Sequence, residues 1–195
     1  MDKLADKPDL QYLFNEIEEG SSVLDLGCGD GTFLSMLKEE KGCRVQGIDI
    51  SQSEIMKCIA KGVPVIQINL NEGILAFPDK CFDYVVLGQT FQQVKSPEKT
   101  LHEMIRVGKT AVVSVVNVGY IKNRWQLTLG RMPYSKSLPY EWYNTPNIHL
   151  GTHSDFLDMC KKENIKIVDE KAFGLPLSSV FTNLLSEFCL YTLSD

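Results

Sequence analysis

The chain has 195 residues, 44% of them hydrophobic and 23% charged, which are the proportions of a soluble globular protein and not of a disordered or collagen-like one. That length fits one domain, burying roughly 70% of its unfolded surface in a core that needs no disulfide staples. A formal charge of −5 argues against a bulk binder of nucleic acid or acidic lipid.

In chain order, residues 9–19 read as a short helix. Val23–Leu26 is a buried strand that runs into the glycine-rich turn Gly27-Cys-Gly-Asp-Gly31. Thr32–Lys41 carries Phe33, Leu34 and Leu37 at helical spacing, and Gly42 stands at its C-terminal stop. Arg44–Ile50 is a second strand. The helix Ser51–Ala60 follows, with Ile55, Met56 and Ile59 as its buried stripe and Gly62 ending it. Val63–Leu70 is a third strand, and Phe82–Leu87 a fourth that is apolar enough to be buried on both faces. Ser96-Pro97 opens a helix with serine at the N-cap and proline at N1, and Leu101, Met104 and Ile105 supply its stripe. Thr110–Val116 is a valine-rich fifth strand. Strand and helix alternate over residues 22–118, which dictates right-handed βαβ units and a parallel sheet. Phe156–Lys162 then reads as a helix, Ile165–Ala172 as a strand, and Glu187–Leu193 as a final, antiparallel edge strand.

Residues 119–150 interrupt this rhythm. They hold six aromatics (Tyr120, Trp125, Tyr134, Tyr140, Trp142, Tyr143), three of the eight prolines, and Lys122, Arg124, Arg131 and Lys136 against the single acid Glu141. Thirty-two residues without clear periodicity exceed an ordinary βα loop. The expectation is a functional insertion or lid, with a structural flap as the bland alternative.

The six cysteines (Cys28, Cys43, Cys58, Cys81, Cys160, Cys189) lie at least 15 residues apart, so no zinc or iron–sulfur spacing exists and no metal is expected. The first residues, MDKLADKPDL, form no apolar leader, and no apolar run reaches membrane length. The expected setting is a reducing cytoplasm.

The chemistry concentrates at the glycine turn, which follows a strand and opens a helix as a nucleotide-binding turn does. A dinucleotide fingerprint would place its third glycine at position 32, where Thr32 stands instead. The G-x-G-x-G spacing, with Asp25 two residues ahead, resembles the first motif of class I S-adenosylmethionine-dependent methyltransferases. Such a ligand needs backbone approach at Gly27, Cys28, Gly29 and Gly31, and acceptors for its ammonium, a role that fits Asp25. The competing reading of Asp25 is a carboxylate that only ties down the loop. Asp49 ends the second strand 22 residues after Gly27, where a carboxylate accepts both ribose hydroxyls. Ile50 then lies along the adenine face, and Asn69-Leu70 matches the adenine-edge position, with asparagine where many relatives carry aspartate. Gly88-Gln89-Thr90 ends the fourth strand at the sheet's carboxyl edge, adding Gln89 to the pocket.

Other chemistries are poorly represented. His102 lies within a helix and reads as a surface or core residue, and His153 reads as a helix start. His149, inside the insertion, is the candidate acid or base, with Tyr143 or Tyr134 as positioners. No nucleophile elbow, zinc-binding histidine pair or Walker motif occurs.

Several further blocks, Gly88–Gln92, Arg124–Leu127, Gly130–Pro133, Leu138–His149 and Asn183–Glu187, join the glycine turn in resembling the MetW family of methionine biosynthesis. The resemblance runs from about residue 8 and is most specific over Leu138–His149. It implies a cytoplasmic, single-domain protein spanning 1–195. The implied fold is α/β and Rossmann-like: a seven-stranded, mostly parallel sheet with helices on both faces, carrying the insertion 119–150. It also implies S-adenosylmethionine or S-adenosylhomocysteine as ligand and homoserine O-acyltransferase as partner, while the acidic charge and the lack of a long apolar run lead us to expect neither nucleic acid nor membrane as partner. Two functions therefore compete: a binding and regulatory subunit of the acyltransferase, and a methyltransferase acting on a small molecule. An RNA methyltransferase is disfavoured by the acidic balance.

Overall fold

A computed structural model describes residue 4 and residues 7–74, 77–88 and 90–194. Seven strands form one sheet in the order β3-β2-β1-β4-β5-β7-β6. β1 (Ser22–Leu26), β2 (Arg44–Asp49), β3 (Val65–Gln67), β4 (Phe82–Leu87) and β5 (Gly108–Val116) run parallel to one another. β7 (Ser186–Ser194) is antiparallel to both β5 and β6 (Lys166–Gly174). The final strand is therefore interior, and β6 takes the edge. The chain order changes direction between β1 and β4, so their carboxyl ends diverge into the crevice where open α/β sheets bind ligands.

Helices α1 (Pro8–Glu16), α2 (Thr32–Lys41), α3 (Gln52–Ala60), α4 (Pro97–Val107), α5 (Ile121–Thr128), α6 (His153–Lys162) and the short α7 (Thr182–Leu185) surround the sheet. Two buried clusters occupy its two faces. Leu24, Leu26, Ile48, Val85, Leu87 and Val113 pack with α4 and α6, while Val23, Val45, Val86 and Val112 pack with α1 and α2. This alternation along β1 and β4 is what burial on both faces requires. In β4 the first half, Phe82–Tyr84, is only half-buried.

Local chemistry explains most boundaries. Gly42 takes φ 62° at the end of α2, and its N–H caps Leu37 O, an αL stop that costs glycine little. Ser96 occupies the N-cap of α4, but its side chain makes no cap bond. Thr152 and Asp155 form a reciprocal capping box that starts α6 at His153.

Three expectations need correction. The stripe Ile55, Met56 and Ile59 of α3 is not buried: Met56 and Ile59 are exposed, and Cys58 is the residue that α3 buries. The sheet ends at β3, which has only three residues, so the far flank of α3 has nothing to cover. For the same reason the strand expected over Val63–Leu70 shortens to Val65–Gln67. The insertion contains a regular helix, α5, whose apolar residues do not form a single buried stripe, since Trp125 and Leu127 are exposed and Asn123 is the buried residue.

Asn117, just beyond β5, holds the right half of the carboxyl edge together. Its Nδ2 donates to the Ser186 and Asn183 carbonyls at 2.9 and 3.2 Å. Its Oδ1 accepts from the Gly119 and His153 amides at 2.9 and 3.1 Å. One buried side chain thus positions the start of the insertion, α6 and the entry to β7. Asn117→Ala leaves these backbone groups unpaired. It is expected to destabilise the fold by about 2–4 kcal/mol and to lower the thermal midpoint by roughly 5–15 °C, read by calorimetric melting. A change within about 1 °C would contradict this assignment.

Candidate functional site

The glycine turn leaves β1 with three residues in the left-handed region: Gly27 at φ 75°, Gly29 at 55° and Gly31 at 72°. The three serve different ends. A Cβ on Gly27 would sit 2.5 Å from Thr90 Oγ1, and one on Gly31 would sit 2.8 Å from Cys58 Sγ, so these two allow close packing. A Cβ on Gly29 would meet nothing within 4 Å. Its bare backbone faces open space, as a ligand-facing peptide should.

Asp49 fastens the turn from the end of β2. Its Oδ2 accepts the Gly29 amide at 2.8 Å, and its Oδ1 accepts the Ser51 amide at 2.8 Å. One carboxylate therefore ties the glycine turn to the start of α3. Further bonds run from the Gly27 and Cys28 amides to Ile48 O at 2.8 and 3.0 Å. Cys58 Sγ donates to Gly29 O at 3.1 Å and lies 3.8 Å from Cys28 Sγ. Burial, reinforced by the nearby Asp25 charge, pushes the Cys28 thiol well up, so it packs as a neutral group.

A cavity of about 140 Å³ opens beside this turn. Asp25, Gly27, Cys28 and Gly29 form its floor, Gly88, Thr90 and Gln93 one wall, and Lys7, Asp9 and Leu10 the other. Asp25 is 5% exposed, and burial raises its pKa to about 7; Lys7 opposes the shift, and Asp49 and Asp9 add to it. A carboxylate kept this far from water favours a cationic partner.

The remaining sequence candidates divide. Asp25, Gly27, Cys28 and Gly29 line the cavity, Asp49 holds its floor, and Gly31 caps α2. Ile50 is exposed on the surface beyond Asp49. Asn69 caps the short turn Leu70–Glu72, accepting from Asn71 N at 3.1 Å, and its amide donates to Glu72 at 3.2 Å. Leu70 packs against the core and lines a separate cavity with Ile74 and His102. Gln89 lies outside the described residues. His149 is exposed, 3.4 Å from Lys95 O, and lines a groove with Phe91 and Phe156. Tyr143 is exposed and edge-on to Trp142, and Tyr134 is exposed with its backbone held by Gln126. None of these three borders the glycine-turn cavity.

The insertion forms a second concavity of about 330 Å³, lined chiefly by Leu127, Met132, Leu138, Tyr140 and Trp142. It is joined to the glycine-turn side through Gln92. The Ile148 and His149 amides donate to Gln92 O at 2.9 and 3.1 Å, and Gln92 Nε2 donates to Val116 O at 2.8 Å.

Two features escaped the sequence. Asp9, on α1, lines the cavity, although nothing in its local pattern separates it from an ordinary first-turn acid. His153 Nδ1 lies 2.6 Å from Tyr191 OH, and with Glu170 and Cys189 forms a cluster within 4.8 Å. Tyr191 and Ser186 already satisfy its imidazole and thiol, so the cluster reads as a closed hydrogen-bond network joining α6 to β7.

Sheet order, the glycine turn and the acid ending β2 define a Rossmann-like class I methyltransferase fold. A methyltransferase structure from Mesorhizobium loti matches with TM-score 0.71 at 18% identity, covering 100% of this chain and 99% of that one. The cyclase SpnF matches with TM-score 0.66 at 13% identity, over 96% of this chain and 80% of its own, so the fold alone does not specify methyl transfer. The model of the methionine biosynthesis protein MetW matches residues 7–193, and the chain belongs to that family. A bifunctional methionine biosynthesis protein MetXA/MetW from Rhodopirellula baltica is 35% identical over 175 residues, covering 85% of this chain and 28% of that protein. The chain spans under half the length of the first curated relatives it matches. Among the described residues, no helix is long and apolar enough to cross a membrane.

Two predictions follow from the site. Gly29→Val projects a branched side chain into the open space and should abolish ligand binding in calorimetry. Holding valine at positive φ should cost the fold only about 1–2 kcal/mol. Undiminished binding would exclude this face of the turn. The Asp25 carboxyl, raised to about 7, is bound to a proton in the folded state where the unfolded chain has already released it. Its contribution to the stability of the ligand-free protein is full at low pH and is lost as pH rises from about 4 through 7. Conversely, affinity for a cationic ligand should rise between pH 5.5 and 8, and Asp25→Asn should flatten both trends.

Proposed function

We propose that this protein binds S-adenosylmethionine or S-adenosylhomocysteine and acts with homoserine O-acyltransferase as its partner or regulatory subunit. The observation that carries the partnership is the relative in which MetXA and MetW form one polypeptide. Fusion holds two chains at high effective concentration, which is useful when they work together.

The residues fit the ligand. Asp49 retains acceptor capacity for ribose hydroxyls after taking two amides, since an ionised carboxylate has about four lone-pair sites. Gly29 admits the ligand against bare backbone, and the buried Asp25 suits an ammonium. When bound, S-adenosylmethionine supplies an electrophilic methyl group on a sulfonium. The small cavity would take the amino-acid end, and Asp49 and Ile50 would hold the nucleoside. The expected setting is the cytoplasm, where methionine is made.

The test mixes the purified chain with the acyltransferase and follows both association and acylation rate, with and without ligand. The proposal predicts a complex and an acylation rate that changes with the chain present. It further predicts that the ligand alters affinity for the acyltransferase by the same factor as the acyltransferase alters affinity for the ligand. Absence of both association and rate change would overturn it.

The second reading, a small-molecule methyltransferase, is favoured by the apolar 330 Å³ concavity of the insertion, which has the size and lining of an acceptor site. Methyl transfer relies mainly on positioning, so an exposed His149 or Tyr143 does not count against it. Turnover of a defined acceptor at ordinary enzymatic rates would decide for this reading.

A further inference from the structure

Asp9 sits in the first turn of α1, directly after Pro8, and is 1% exposed. Neither of its carboxylate oxygens has a hydrogen-bond partner among the described residues. Both facts are unusual together. Acids are almost never fully buried unless paired, and a finished fold seldom leaves both oxygens of a carboxylate without a donor. Position decides what the side chain is for: Asp9 borders the same cavity as Asp25, and the two carboxyls are close enough for Asp9 to disfavour ionisation of Asp25.

We infer that Asp9 and Asp25 form a two-carboxylate subsite, and that Asp9 receives the α-ammonium of the ligand's amino-acid end. This rests on the reading of the cavity as the S-adenosylmethionine site. An alkylammonium presents three N–H donors within one small volume, the number that two carboxylates and one turn carbonyl satisfy together. A hard divalent cation suits the cavity less well. It needs about six oxygen ligands, whereas the rest of the lining is glycine backbone, a thiol, Leu10, the neutral Thr90 and Gln93, and the Lys7 ammonium, which repels a dication. Lys7 borders the same cavity and lowers the Asp25 pKa, so it offsets part of the paired negative charge without bonding to Asp9. Packing of Leu13 and Phe14 into the core keeps α1 over the turn although its first acid lacks a partner. The helix is thereby a wall of the site and not only a cover.

The experiment compares three ligands by calorimetry: S-adenosylmethionine, S-adenosylhomocysteine and 5′-methylthioadenosine. The last keeps the nucleoside and its sulfur but lacks the amino-acid end. In Asp9→Asn, nearly equal in shape, affinity for the first two should fall tenfold or more, while 5′-methylthioadenosine binds within twofold of wild type. The ligand-free thermal midpoint should hold or rise, because a buried carboxyl without a hydrogen-bond partner is gone. Equal weakening of all three ligands would show a packing role and overturn the inference, as would unchanged binding of the first two. Weakening of S-adenosylmethionine alone would assign Asp9 to the sulfonium and overturn the ammonium assignment. Wild type binding none of the three would defeat the ligand reading itself, a result distinct from any Asp9 outcome. If Asp9→Asn does not fold, the same comparison is read on Asp9→Ala.

Discussion

Two carboxyl groups held out of water against one glycine turn set the terms for the rest of this molecule. Asp9 and Asp25 are both almost fully buried, and neither Asp9 oxygen has a hydrogen-bond partner among the described residues. Removing acids from water without compensation costs several kcal/mol, so the surrounding fold must be stable enough to carry the strain. It is built accordingly. β1 lies between β2 and β4 with all five residues buried, and two apolar clusters close the sheet on both faces. The destabilised feature and the stable scaffold belong together, since a site poised for a cation is one that folding alone does not satisfy.

Fastening matters as much as charge. Asp49 binds the Gly29 and Ser51 amides at once, so the turn cannot shift without moving the start of α3. On the other half of the edge, Asn117 gathers the insertion, α6 and the entry to β7. Between these halves runs the segment after β4. Gln92 takes two amides from the end of the insertion, while its neighbour Gln93 lines the glycine-turn cavity. Glycine-turn cavity and insertion are thus in physical contact through consecutive residues. A protein that reports ligand occupancy to a partner needs such contact, although contact alone does not establish coupling. The exposed aromatics Trp125, Trp142 and Tyr143 all belong to the insertion.

Much of this was legible in the sequence because it is written in local patterns. Glycines at 27, 29 and 31 after an apolar strand, an acid closing the next strand, and Gly42 ending α2 each express one short-range rule, and the parallel order followed from their alternation. What was not legible depends on tertiary geometry. Ile55, Met56 and Ile59 form a convincing stripe, yet the sheet stops at β3 and leaves Met56 and Ile59 in solvent. Glu187–Leu193 read as an edge strand, but β6 closes the sheet outside it. α5 hid inside a segment whose prolines and aromatics mask its single helical stretch. Asp9 was the hardest to see, because an acid in a first helical turn is ordinary until the fold lays that turn over the glycine-turn cavity.

The most direct test is a crystal structure of the chain with S-adenosylhomocysteine. It is predicted to show the amino group between the Asp9 and Asp25 carboxylates, the ribose hydroxyls on Asp49 and the ligand backbone passing over Gly29. Density for the ligand in the insertion's apolar concavity, or an amino group pointing away from both acids, would contradict the account.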